Sequence, residues 1–205
     1  MIAIVDYSVG NLFSLESSLK AIGEKPLITS NPEAILKADK IILPGVGAFE
    51  DAANKLKASG LNEVVIESAK NGTPLMGICL GMQLLFEKSF EYGEHEGLGL
   101  IKGAVTAINE RVPKGLKIPH IGWNALQFPE DRARSPIFKA LKNGDYVYFV
   151  HSFSAVDCEE NIIASTEYGC TLTAAVQNDN VFGCQFHPEK SGDVGLKILD
   201  AFCRL

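Results

Sequence analysis

Apolar residues fall in short runs separated by polar, turn-rich segments. Ile2–Val5, residues 26–30, residues 41–43 and Leu75–Ile78 are runs of strand length, several of them β-branched. Between them, apolar positions recur at helical spacing. Leu12, Leu15, Leu19 and Ile22 form one such set, and Gly23 ends it. Asn31-Pro32 reads as an N-cap followed by proline at the first helical position. Two more helical stretches cover Phe49–Ala58 and residues 61–71. Strands alternating with helices predict a parallel sheet covered on both faces. Sites in such sheets lie beyond the carboxyl ends of the strands, so the loops after residues 5, 43 and 78 face one crevice.

Beyond about residue 97 the pattern changes. Residues 98–108, 123–128, 146–150, Ile162–Glu167, residues 172–176 and residues 181–185 are short strand-like pieces split by Gly, Asn and Asp. Some belong to a small antiparallel sheet and some extend the main one; periodicity does not sort them. Residues 193–205 form a closing helix with Val194, Ile198, Leu199 and Phe202 as its apolar face. The expected fold is therefore α/β: an open, mostly parallel sheet with helices on both faces and a smaller antiparallel sheet. It forms a single domain over residues 1–205, a length sufficient for one sizeable core.

Composition narrows the class. The net charge of −6 advertises no broad basic surface, which argues against nucleic acid as a partner. No apolar run approaches the roughly 20 residues of a membrane span, so no membrane is expected. Met1-Ile2-Ala3-Ile4-Val5-Asp6 lacks a basic flank and reads as a first strand, not as a signal peptide. The five cysteines are an odd set without a C-x-x-C pair. That argues against both a disulfide framework and a zinc site, and for a reducing, cytoplasmic setting.

The chemistry centres on Gly77-Ile78-Cys79-Leu80-Gly81, where an apolar run meets a helical segment. This is the Gly-x-nucleophile-x-Gly pattern of a nucleophile elbow, with cysteine as nucleophile. A sharp strand-to-helix turn strains the nucleophile's backbone, and side chains at the flanking positions would collide with it. Cys79 then projects beyond the sheet at a helix N-terminus, where free amides favour thiolate over thiol. A cysteine nucleophile needs a histidine base, and the base needs an orienting acceptor. Of the four histidines, His95 lies in a polar loop and reads as solvated, His120 sits in a binding-type stretch, and His151 follows an apolar strand. His187 is the best base. Pro188 holds it in an extended conformation, and Glu189, two residues on, points to the same side and reaches its far ring nitrogen. An oxyanion hole is expected from the Leu80 amide and from the loop Pro44-Gly45-Val46-Gly47, with Val46 and Gly47 as its candidates. Because glycines flank Val46, these peptide planes rotate cheaply, and the hole can be assembled in an activated state only.

Gly77-Ile78-Cys79-Leu80-Gly81-Met82-Gln83 with His187-Pro188-Glu189 resembles the class I, triad-type glutamine amidotransferases. Asp6-Tyr7, Gly10-Asn11-Leu12, Pro119-His120-Ile121-Gly122-Trp123-Asn124, Tyr148-Phe149-Val150-His151-Ser152 and Glu189-Lys190-Ser191 are similar to the glutaminase subunits of imidazole glycerol phosphate synthases. The match spans nearly the whole chain. It departs at Ser8, where glycine is usual, and at Phe153, where tyrosine is common. The resemblance implies hydrolysis of L-glutamine through a cysteinyl thioester. The ammonia passes to a (β/α)8-barrel cyclase subunit that makes imidazole glycerol phosphate and aminoimidazole carboxamide ribotide in histidine biosynthesis. No metal or organic cofactor is implied. Gln83, Glu91 and Ser152 are implied substrate-binding residues, although Gln83 read on its own is equally a solvated helix residue. Asn11, His120, Trp123, Asn124, Tyr148 and Lys190 match positions at or near the partner interface, and Trp123 read on its own is also a core aromatic. Three other readings stay in view: a glutaminase feeding a different synthase, such as a sugar-aminating one, a stand-alone cysteine hydrolase, and a non-enzymatic binding module, against which the intact Cys79, His187 and Glu189 speak.

Overall fold

The computed structural model describes residues 1–205. In chain order its regular elements begin β1 (Ile2–Val5), α1 (Leu12–Ala21), β2 (Pro26–Thr29), α2 (Pro32–Leu36), β3 (Lys40–Leu43), α3 (Phe49–Ala58) and α4 (Leu61–Lys70). Next come β4 (Leu75–Ile78), α5 (Leu80–Leu84), β5 (Phe86–Ser89), β6 (His95–Glu96), β7 (Ile101–Ala107) and β8 (His120–Ala125). The chain finishes with β9 (Tyr146–His151), β10 (Phe153–Val156), β11 (Ile162–Glu167), β12 (Thr171–Asn178), β13 (Val181–Cys184) and α6 (Gly192–Cys203).

The main sheet has the order β11-β12-β13-β4-β3-β1-β2. Strands β2, β1, β3, β4 and β13 run parallel, and β12 and β11 extend one edge antiparallel. Strands β1, β4 and β13 are buried at every position, as expected for parallel strands covered on both faces. Alternate residues feed two cores, because successive strand side chains point to opposite faces. Ala3, Val5, Ile41, Leu43 and Leu75 pack with Ile35, Phe49, Leu56 and Val65 of α2, α3 and α4. Ile2, Ile4, Ile42, Met76 and Ile78 pack with Leu15, Leu19, Ile198, Leu199 and Phe202 of α1 and α6.

Two smaller sheets cap the carboxyl end. One is the antiparallel pair β8-β9; the other has the order β10-β7-β5-β6 and is mixed, since β5 and β7 run parallel. No helix is long and apolar enough to cross a membrane.

Several elements differ from the sequence expectation. The helix after Cys79 is only five residues long, and β5 starts two residues after it ends. Leu84, Leu85 and Phe86 are all buried, so one apolar run spans the change from helix to strand. The expected strand at 123–128 lies three residues earlier, at His120–Ala125. His95, expected in a solvated loop, lies in β6 with its side chain 18% exposed and 3.9 Å from Glu50 Oε1. On α6, Gly195 is buried where Val194 is only partly so. A Cβ on Gly195 would lie 1.8 Å from the Pro188 carbonyl oxygen, so this glycine lets the helix press against the turn that carries His187.

The elbow glycines have a structural reason that is not their own torsion. Cys79 carries the strain, with φ +54° and ψ −111°. A Cβ on Gly81 would lie 1.9 Å from the Leu43 carbonyl oxygen, and one on Gly77 would lie 2.6 Å from the Gly81 carbonyl oxygen. Gly81→Ala must therefore displace backbone. It is expected to cost about 3 kcal/mol, the upper end for overpacking, and to lower the melting temperature by about 2–4 °C per kcal/mol. Calorimetric melting checks this; an unchanged melting temperature would contradict the close approach of β3 to the elbow.

Candidate active site

Strand β4 delivers Cys79 to the crevice, and α5 begins at the next residue. The backbone N–H of Cys79 donates to the Cys184 carbonyl at 2.7 Å, which ties the elbow to the end of β13. His187 follows β13 by three residues and stands opposite. Its backbone N–H donates to the Tyr148 carbonyl at 2.9 Å, and its own carbonyl accepts from the Ser191 hydroxyl at 2.6 Å. The His187 backbone is thus tied to β9 and to Ser191, the N-cap of α6.

His187 Nδ1 donates to Glu189 Oε1 at 2.7 Å, with both side chains almost fully buried at 2% and 4% exposure. This bond fixes the tautomer and leaves Nε2, buried and without another partner, for the Cys79 sulfur. Burial alone would disfavour the charged ring, but the sulfur and the carboxylate outweigh it and raise the His187 pKa to about 9. His151, the rival base, is committed elsewhere. Its Nδ1 donates to the Phe153 carbonyl at 2.8 Å, its Nε2 bonds His120 Nδ1 at 3.0 Å, and burial pushes its pKa down to about 4.

Cys79 and His187 open into a cavity of about 290 Å³ that is also lined by Val46, Gly47, Leu80, Gln83, Glu91 and Ser152. The structure thereby brings all the sequence-derived oxyanion and substrate candidates to one place. A cleft of similar size, beside Glu50, Lys57 and His95, contains no pairing of nucleophile and base. Gln83 is not a solvated helix residue: it is 5% exposed, and its amide donates to the Phe153 carbonyl at 3.3 Å and to Gln185 Oε1 at 3.0 Å. Both N–H groups are used, so Oε1 is the atom left to accept from a ligand. Glu91, 8% exposed, accepts from the Phe49 backbone N–H at 2.6 Å and so also caps α3.

The amide expected to serve an oxyanion hole is engaged. The Leu80 N–H donates to the Gly45 carbonyl at 3.3 Å and is not free for a substrate oxygen. Freeing it requires rotation of a peptide in the 45–47 loop, where Gly47 has φ +98° and open space around it. Tyr7 steadies the loop from below by donating to the Pro44 carbonyl at 2.7 Å, and burial, helped by the nearby Cys79, raises its phenol pKa. Tyr7 and Gln185 are site residues that motif reading missed. The signals were there: Tyr7 lies in the loop after β1, and Gln185 is two residues before His187.

The interface candidates separate into two groups. Trp123 is 51% exposed, so it is not a core aromatic, and it pairs across β8-β9 with Tyr148 at 6.0 Å between ring centroids. Lys190 is exposed beside the triad, and Asn11 caps α1 with its side-chain oxygen. His120 departs from the surface expectation. It is 1% exposed, stacks between Phe149 and Tyr168 and bonds His151 and Asn124. It packs behind the exposed strand face, and Asn124, half-buried, connects it to that face.

Comparison with known proteins places this arrangement. Residues 3–204 match the family Glutamine amidotransferase class-I. The chain is 52% identical to the imidazole glycerol phosphate synthase subunit HisH of Caldanaerobacter subterraneus, over 98% of this chain and 97% of that protein. It is 49% identical to the same-named subunit of Wolinella succinogenes, over 100% of both. Among solved structures, a glutamine amidotransferase superposes with TM-score 0.75 at 18% identity, covering 99% of this chain and 100% of that one. PurLQS from Thermotoga maritima superposes with TM-score 0.73 at 23% identity, covering 99% and 97%. Those two likenesses concern the fold alone. The chain belongs to the class-I glutamine amidotransferases and, among them, to the HisH subunits of imidazole glycerol phosphate synthase.

Proposed function

We infer that this chain is the glutamine-hydrolysing subunit of an imidazole glycerol phosphate synthase, with residues 1–205 acting as one domain. The observation that carries the reading is the buried Cys79–His187–Glu189 arrangement at the mouth of the cavity, in a chain about half identical to HisH subunits over its full length. Cys79 attacks the side-chain amide carbon of glutamine. The tetrahedral oxyanion is held by the Leu80 amide and an amide of the Val46-Gly47 segment once the loop has rotated. Protonated His187 gives its Nε2 proton to the departing ammonia, which leaves a glutamyl thioester. His187 then takes a proton from water, the water attacks the thioester, and glutamate and the Cys79 thiol are released. Glu189 keeps the ring oriented throughout. Gln83 Oε1, Glu91 and Ser152 hold the amino-acid end of the substrate.

The ammonia is destined for a (β/α)8-barrel cyclase subunit, in the cytoplasm, that makes imidazole glycerol phosphate and aminoimidazole carboxamide ribotide. Trp123, Tyr148, Asn124, Asn11 and Lys190 form the docking face, with His120 packed behind them. The closed Leu80 amide supports a gated enzyme, because hydrolysis without an acceptor wastes ammonia to ammonium. Steady-state ammonia release should be low for the isolated chain and rise strongly with the cyclase subunit and its nucleotide ligand. Trp123→Ala should weaken that rise by about five- to 150-fold, the usual span of such coupling, while leaving Cys79 labelling intact. Full activity of the isolated chain, unchanged by the partner, favours the stand-alone hydrolase and overturns this reading.

A further inference from the structure

The Cys79 sulfur touches a side chain that the triad does not include. Gln185 lies at the end of β13, fully buried, with its Nε2 3.8 Å from Cys79 Sγ. The direction of this amide is set from its other end, where Gln185 Oε1 accepts from Gln83 Nε2 at 3.0 Å. Turning the Gln185 amide over would bring two N–H groups face to face there, because Gln83 spends its second N–H on the Phe153 carbonyl. The N–H of Gln185 is therefore aimed at the sulfur by the network around it.

The sulfur also has an acceptor nearby, the Val150 carbonyl at 4.0 Å, which suits the S–H of a thiol. Once that proton has moved to His187, the carbonyl offers the sulfur nothing favourable. A donor does: a hydrogen bond to a charged atom is about twice as strong as one between neutral groups. Apart from His187 Nε2, which carries the sulfur's own proton, Gln185 Nε2 is the N–H that donates to Cys79 Sγ. We propose that Gln185 is a further catalytic residue, whose side-chain N–H stabilises the Cys79 thiolate before attack and again when the thiolate leaves the glutamyl thioester. No proton is transferred by Gln185; it donates a hydrogen bond in both steps, and His187 handles the protons. The Gln83–Gln185–Cys79 series also joins a residue of the substrate pocket to the nucleophile, so that ordering of Gln83 by ligand orders the donor.

The glutaminase half of the test rests on the function proposed above; the alkylation half does not. Full-length Gln185→Met, which keeps shape and removes the donor, and Gln185→Glu, which keeps an acceptor for Gln83 and sets an acidic group against the sulfur, are compared with the parent chain. Iodoacetamide alkylation of the Cys79 peptide is followed by mass spectrometry across pH, and glutamine hydrolysis is followed in the complex with the cyclase subunit. In Gln185→Met the midpoint of the alkylation profile should move up by about one to two pH units. Its kcat should fall about tenfold to a hundredfold, with KM within about twofold. Gln185→Glu should shift the midpoint further in the same direction. Where Gln185→Met does not fold, as its melting curve shows, the near-isosteric Gln185→Glu carries the test. A parent alkylation profile in the folded variants overturns the proposal, whatever happens to kcat, because a merely structural amide would leave the profile in place. A shifted profile in a chain that hydrolyses no glutamine, alone or in complex, sinks the glutaminase reading and leaves the donor role standing.

Discussion

Cys79→Ala should lower glutamine hydrolysis in the complex by about three orders of magnitude or more, while leaving the fold and partner binding intact. The expectation follows from geometry. Cys79 is the one cysteine in a strained elbow that opens into the cavity, opposite a buried histidine with a free ring nitrogen. Three of the others are held as thiols by burial: Cys158 is pushed up to about 11 and Cys203 to about 12, and Cys184 is raised further, at complete burial. A glutamine-like electrophile should therefore label Cys79 ahead of the other four. Peptide mapping that places the label mainly on Cys158, Cys170, Cys184 or Cys203 would remove the basis for the mechanism.

His187→Ala should cost nearly as much, because nucleophile and base act as a unit. Glu189→Gln should cost about one to two orders of magnitude less, since the carboxylate orients and stabilises the ring but transfers no proton to substrate. The same pair has a signature in stability. The His187 pKa is raised from 6.5 to about 9, so the stabilisation from its charged form is complete below 6.5 and is lost as pH rises through about 9. The urea midpoint should fall as pH is raised from about 7 to about 10, and fall less in Glu189→Gln. A midpoint flat over that range in the parent chain contradicts the pairing. Activity abolished by His151→Ala but spared by His187→Ala would mean that the other histidine is the base, despite both its ring nitrogens being occupied.

The first half of the fold was legible because local and global signals agree there. Ile2–Val5 and Leu75–Ile78 are apolar throughout since both sheet faces are covered, and the helices between them carry regular stripes and caps such as Asn31-Pro32. In the second half the pieces that became β7, β8, β9, β11, β12 and β13 were legible as strands, but their division among three sheets was not, and β5, β6 and β10 were missed. Strand β5 exposes its middle residues and follows a helix with no polar break, so neither period survives there. Strand β6 is two residues long, below what periodicity resolves. The candidate triad was readable because its three members sit in two short motifs. The His120–His151 bond was not, since it depends on the register of β8 against β9, in which the two residues face each other. Nor was the bond from the Leu80 amide to the Gly45 carbonyl, which joins segments after different strands and occupies the amide proposed for the oxyanion hole.

In the proposed reaction the glutamyl group of glutamine becomes covalently attached to Cys79. The complex with its cyclase subunit and nucleotide ligand should be mixed with glutamine, quenched in acid during turnover and digested for mass spectrometry. The predicted result is a Cys79 peptide heavier by glutamine less ammonia, absent from the Cys79→Ala chain and more abundant in variants slowed in thioester hydrolysis. Ammonia release at full rate with no acyl adduct on Cys79, or with the adduct on another cysteine, would contradict the account.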